Sequence, residues 1–157
     1  MIYYSKIVKI KMDYITKYQY VKLIHFLRRH QVRYVNNLFI AVSSKIVTSS
    51  DGENWIIRAT GSNGLDVAYG NGIYVLITGD GISTSSDSVN WTSGNISSLS
   101  CCYISIIFAS NKFVAVGTNG KLAISNDGVN WAQYTNSTYP ATPLWGHHRS
   151  ITYGPVQ

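Results

Sequence analysis

Charge is scarce in this chain of 157 residues: Asp, Glu, Lys and Arg make up 13%, against about 25% in an average globular domain. Hydrophobic residues reach 45%, so the composition is not the weakly hydrophobic, highly charged one of a disordered protein. Cysteine is almost missing. The two present, Cys101 and Cys102, are neighbours and rarely placed to bond each other, which removes both a disulfide framework and a cysteine-based zinc site. Proline occurs three times. Long apolar runs are also lacking: Val21 to Leu27 is broken by Lys22 and His25, and Cys101 to Ala109 by Ser105. Crossing a bilayer as a helix takes about 20 apolar residues, so no span is expected. Lys6, Lys9 and Lys11 stand where a secretory signal carries its apolar core, so no signal peptide is expected either. What holds the fold together must be packing.

What charge there is divides the chain. Residues 1 to 33 hold eight bases and one acid, Asp13, for a net +7, while everything from residue 34 onward holds five bases and six acids, for a net −1. All 13 glycines lie beyond residue 51. The reading is a basic N-terminal segment, 1–31, followed by a nearly neutral, turn-rich body, 32–157.

The body repeats itself. Ser49-Ser50-Asp51-Gly52-Glu53-Asn54-Trp55 returns as Ser85-Ser86-Asp87-Ser88-Val89-Asn90-Trp91 and as Ser125-Asn126-Asp127-Gly128-Val129-Asn130-Trp131. A second signature precedes each copy: Tyr34-Val35-Asn36-Asn37-Leu38-Phe39, Tyr69-Gly70-Asn71-Gly72-Ile73-Tyr74 and Phe108-Ala109-Ser110-Asn111-Lys112-Phe113. The units span 32–60, 65–95 and 104–135, with a partial fourth at 149–157 beginning Ile151-Thr152-Tyr153-Gly154.

Within a unit, short β-branched and aromatic runs alternate with Asn-Gly and Asp-Gly turns at hairpin spacing, and the 3.6-residue period of solenoid helices is absent. The middle copy predicts strands over Leu65–Tyr69, Ile73–Thr78, Ile82–Ser85 and Asn90–Ser93. Four strands in about 40–45 residues is the size of a propeller blade, so the fold class is all-β, a β-propeller of about four blades or a partial one of three blades plus one strand.

The Ser-x-Asp-Gly-x-Asn-Trp stretch resembles the Asp-box, the bacterial neuraminidase repeat of sialidase-like propellers, in a compact form with Asp and Gly adjacent. Together with Tyr-Gly-Asn-Gly-x-Phe-Val it is similar to repeat proteins of bacteria and their phages. The resemblance implies that Ser49, Asp51, Gly52, Trp55, Ser85, Asp87, Trp91, Ser125, Asp127, Gly128 and Trp131 form peripheral structural turns and that the three aspartates are not catalytic. Physically, the carboxylate accepts bonds from its own turn, glycine takes a positive φ, and tryptophan wedges between sheets. Ser88 stands where glycine is expected, which predicts a distorted second turn.

Three blades and one strand fall short of the four to eight that close a ring. Completion falls to other copies, to missing blades, or to the leading segment, where Ser5-Lys6-Ile7-Val8 returns as Ser44-Lys45-Ile46-Val47. Residues 2 to 24 then form a degenerate outer blade clasped by Arg149 to Tyr153. Alternatively residues 14 to 30 form a basic docking helix capped by Asp13, with Tyr20, Val21, Ile24 and Leu27 on one face.

Catalysis is not expected. A sialidase needs an arginine cluster at the ring axis, and the repeats carry only Arg33, Arg58 and Arg149, with Arg58 on the outer edge. A hydrolase needs clustered acids there, and only Asp66 and Asp80 lie near inner strands or their loops. His147 and His148, beside Trp145, point to opposite faces of any strand and lack a third ligand, so neither a metal nor a cofactor is expected. The Asn-x-Ser/Thr sequences at Asn90, Asn95 and Asn136 carry no weight without a signal peptide. Packing claims many of the aromatics in the basic segment, so nucleic acid is not an expected partner.

The expected function is a non-enzymatic binding or assembly module that contacts other protein subunits or a surface glycan. Resemblance suggests a phage virion part such as a tail fibre, receptor-binding or decoration protein, located in the virion or, outside a phage, in the cytoplasm. Glycan would be held by Tyr69, Tyr74, Tyr103, Trp145 and Tyr153 between blades. The alternative is a bacterial assembly factor that resembles photosystem-assembly propellers and holds a protein partner.

Overall fold

The computed structural model describes residues 31–93, 103–134 and 151. These residues form three antiparallel sheets of four strands, each a simple meander. The first holds β1 (Gln31–Val35), β2 (Leu38–Val42), β3 (Lys45–Ser49) and β4 (Ile56–Thr60). In the second are β5 (Gly64–Gly70), β6 (Ile73–Thr78), β7 (Gly81–Ser85) and β8 (Thr92–Ser93). The third has β9 (Tyr103–Ala109), β10 (Lys112–Gly117), β11 (Leu122–Ser125) and β12 (Ala132–Tyr134).

The first hairpin of each sheet closes on two residues that both take positive φ: Asn36 and Asn37 (51° and 59°), Asn71 and Gly72 (51° and 82°), Ser110 and Asn111 (49° and 60°). That backbone matches the right-handed twist of the flanking strands, and Asn and Gly reach it at least cost. The loops fix the registers Val35↔Leu38, Gly70↔Ile73 and Ala109↔Lys112.

Strand alternation then gives each sheet two apolar faces. Leu38, Ile40 and Val42 of β2 pack with Tyr74 and Leu76 of β6, while Ile73, Val75 and Ile77 on the other face of β6 pack with Phe113 and Ala115 of β10. The middle sheet is thus sandwiched, and β5 lies against both β1 and β9. At its end Gly70 lets β5 approach the third sheet: a Cβ there would sit 2.2 Å from the Phe108 ring. Stacked four-stranded meanders with their first strands side by side are blades of a β-propeller. The Ile151 amide donates to Ser105 Oγ at 3.3 Å, so the chain returns beside β9. The rest of the fourth copy and the basic segment lie outside the described residues.

One strand differs from expectation. Where the pattern predicts Asn90–Ser93, the strand is Thr92–Ser93, because the Asp87 carboxylate holds both the Asn90 amide and its side chain in the preceding turn.

Candidate functional site

The three Ser-x-Asp turns are near copies. Ser49 Oγ donates to Asp51 Oδ1 at 2.8 Å, the amides of Glu53 and Asn54 donate to the same oxygen at 2.8 and 2.7 Å, and Asn54 Nδ2 donates to Oδ2 at 2.8 Å. Asp87 collects the same four bonds at 2.9, 2.8, 2.7 and 2.8 Å, and Asp127 at 3.0, 2.9, 2.7 and 2.7 Å. In each turn the indole N–H of Trp55, Trp91 or Trp131 donates to the carbonyl of the residue after the aspartate, at 3.1, 3.1 and 3.0 Å. The second turn is not distorted, contrary to the expectation from Ser88. Ser88 takes φ +64° itself, and the carboxylate bonds hold the turn in the same shape as its neighbours.

These bonds set the acid response. Hydrogen bonds from Asn54, Asn90 and Asn130 hold the three carboxyls well below the usual carboxylate range. A carboxyl whose pKa is lower folded than unfolded contributes its full stability above the unfolded value of about 4, and loses it as pH falls toward the folded value. Thermal unfolding followed from pH 7 downward is therefore expected to show the turns contributing fully to about pH 4 and failing progressively below it.

Each turn ends a line of three aromatic rings across one face of its sheet. Tyr34, Phe39 and Trp55 form the first, Tyr69, Tyr74 and Trp91 the second, and Phe108, Phe113 and Trp131 the third, with centroids 4.5 to 4.7 Å and then 6.5 Å apart. Lines two and three face the preceding sheet. Asn36 Nδ2 donates to Tyr74 Oη at 2.9 Å, and Asn71 Nδ2 to the Asn126 carbonyl at 2.8 Å, stitching turn to turn between blades.

Where the first strands meet, one carboxylate joins all three blades. Asp66 on β5 is fully buried, and Arg33 on β1 grips it through Nε and Nη2 at 2.8 and 2.7 Å. From β9, Ser105 Oγ donates to it at 2.7 Å and the Ile106 amide at 3.0 Å, while the Val67 amide adds a bond at 2.9 Å. The sequence puts Asp66 near an inner strand and counts Arg33 among the few repeat arginines, but does not pair them. The available signal was their spacing: Asp66 lies 33 residues from Arg33 and 39 from Ser105, close to one repeat each way.

The residues picked for glycan stacking fare unequally. Tyr74 and Tyr103 are each 4% exposed and belong to the two hydrophobic cores, so neither offers a ring face to a ligand; both face a neighbouring sheet that covers them. Burial pushes the Tyr103 hydroxyl up to about 12. Tyr69 is half-buried against Tyr74. Trp145 and Tyr153 lie outside the described residues, as do Cys101, Cys102, His147, His148 and Arg149. Arg58 on β4 donates through Nε to Thr48 Oγ1 at 2.8 Å, and Asp80 sits exposed in the β6–β7 turn. Among the described residues no cluster of His, Cys, Asp or Glu has the makings of a metal site, and no helix is long and apolar enough to cross a membrane.

No family model and no curated protein matches the chain. Among solved structures it is similar to a propeller described as YCF48 bound to D1 peptide, with 13% identity over 67% of this chain and 41% of that one, at a TM-score of 0.52. It is also similar to YCF48 from Cyanidioschyzon merolae, with 17% identity over 65% of this chain and 38% of that one, at a TM-score of 0.50. The chain thus spans about two fifths of the solved chains it matches. Likeness at this level establishes the fold: three blades of a β-propeller.

Proposed function

We propose that the chain is a non-enzymatic propeller module that binds a protein partner, closer in role to an assembly factor than to a virion part. One observation carries this reading. The outer strand of the first blade, β4, runs five residues and exposes Ile56 and Ile57 at 54% and 56%, whereas the same positions are Thr92 and Ser93 in the second blade and Ala132 and Gln133 in the third. The two side chains point to opposite faces of the strand, so this outer edge offers apolar surface on both sides, which suits contact with protein rather than with a sugar or a charged substrate. The likeness to a propeller described as bound to a peptide points the same way. The aspartates support the absence of catalysis: those of the three turns are spent on their own backbone, and Asp66 is sealed from solvent. Assignment of the turns as Asp-boxes rests on their motif.

Selection from a random peptide library tests the proposal. Apolar-rich peptides are expected to bind, and the I56K/I57K double variant is expected to weaken them at least tenfold while T92K/S93K leaves them unchanged. A signal on a glycan array, or turnover of a fluorogenic glycoside, with no peptide selected, overturns it.

A further inference from the structure

The three aromatic lines are equivalent by repeat but not by environment. In the third blade Phe113 is wholly buried, and a Cβ on Gly128 would lie 2.6 Å from Val75 Cγ2 and 2.9 Å from Ile73 Cδ1 of the blade before it. The second blade buries Tyr74 and Ser88 in the same way. In the first blade Tyr34 is 60% exposed, Phe39 and Gly52 are only half-buried, and a Cβ on Gly52 would meet nothing nearer than its own blade's Phe39, at 3.5 Å. The seat is built, and among the described residues no blade fills it.

The third blade carries the matching surface. Positions Leu38 and Ile73, which face the next blade's turn, become Lys112, exposed at the start of β10, followed on the same face by the half-buried Val114 and Val116. The turn residue beyond the glycine position is Val89 in the second blade and Val129 in the third, and Glu53 in the first. At the junction of the second and third blades Ile73 lies beside Gly128, the residue before Val129, and Val129 itself stays 55% exposed at the rim. Lys112 on the outgoing side is opposite in sign to Glu53 on the incoming turn, where Asp51, the other acid, is already bonded within the turn.

We infer that the first blade's face of Tyr34, Phe39 and Trp55 seats the third blade of a second copy of this chain, with Lys112 of one copy against Glu53 of the other. Applied in both directions the junction joins the three described blades of each of two copies into one ring, and six blades is within the four to eight that propellers use. The inference is independent of the foreign-partner reading, which uses the outer edge of β4. The rival occupant of the third blade's outgoing side is the chain itself at Ile151, whose amide meets Ser105.

Light scattering on the whole chain, alone and as charge-reversed variants, separates the two. A mass twice the 17.4 kDa of one chain is expected. Glu53→Lys sets Lys against Lys and Lys112→Glu sets Glu against Glu, so each alone is expected to weaken dimerisation at least tenfold. Mixing the two variants pairs opposite charges at both junctions and is expected to restore the dimer. Both residues are exposed, and circular dichroism verifies that the variants fold. A monomer at high concentration, a dimer indifferent to the single reversals, or variants that fail to rescue each other on mixing overturns the inference.

Discussion

Replacing Arg33 with methionine is expected to lower the unfolding free energy by about 3–5 kcal/mol, the cost of leaving a buried charge without its partner. The guanidinium supplies two of the five hydrogen bonds that Asp66 accepts, and it is the only cation among the described residues within ion-pair distance of that carboxylate. Methionine keeps the packing of the aliphatic stem and removes the charge, so the loss reports the ion pair rather than a cavity. Urea denaturation measures it as a lower midpoint with an unchanged slope. Pairing Arg33→Met with Asp66→Leu is expected to recover part of the loss, since removing both charges costs less than stranding one. A loss under about 1 kcal/mol would make the pair no stronger than an exposed salt bridge.

Gly128→Ala is the second large effect, expected to cost about 3 kcal/mol, against about 1 kcal/mol for Gly52→Ala. Both glycines hold a left-handed backbone, at φ +74° and +79°, so any side chain pays a similar conformational penalty. They differ in what a methyl group meets: Val75 and Ile73 of the second blade at 2.6 and 2.9 Å for Gly128, and the Phe39 ring at 3.5 Å for Gly52. The excess measures how tightly the third turn is pressed onto the blade before it. Equal losses at the two positions would mean that the interblade contact gives way freely.

Much of this arrangement is legible in the sequence, for local reasons. The Asp51, Asp87 and Asp127 turns complete nearly all their bonds within seven residues, so motif and spacing are enough to recognise them. The hairpins at Asn36-Asn37 and Asn71-Gly72 are likewise short-range. Legibility ends where a contact depends on which sheet lies beside which. Alternation tells that Tyr74 and Ile73 point to opposite faces of β6, but not that both faces are covered, and so Tyr74 and Tyr103 look available for a ligand until the neighbouring sheets are in place. The Arg33–Asp66 pair is hidden for the same reason. Its partners sit on strands in different repeats, and only the side-by-side placement of β1, β5 and β9 brings them within reach. Ser88 misleads in the other direction: residue identity predicts strain, and four hydrogen bonds to Asp87 override it.

The position of Asp66 also constrains how such a chain can lengthen. Tandem blades invite growth by duplication, and most boundaries between identical units accept an extra unit because each needs only its two neighbours. Asp66 breaks that equivalence, since it draws on the blade before it and the blade after it at once. A blade inserted on either side would separate the carboxylate from Arg33 or from Ser105 and strand a buried charge, unless the newcomer brought its own arginine or serine to the same place. Duplication within this stretch is therefore penalised from its first step, whereas a unit added before the first blade or after the third leaves the charge satisfied. New blades in a lineage of such chains should accumulate at the two flanks, with these three travelling together as an indivisible block.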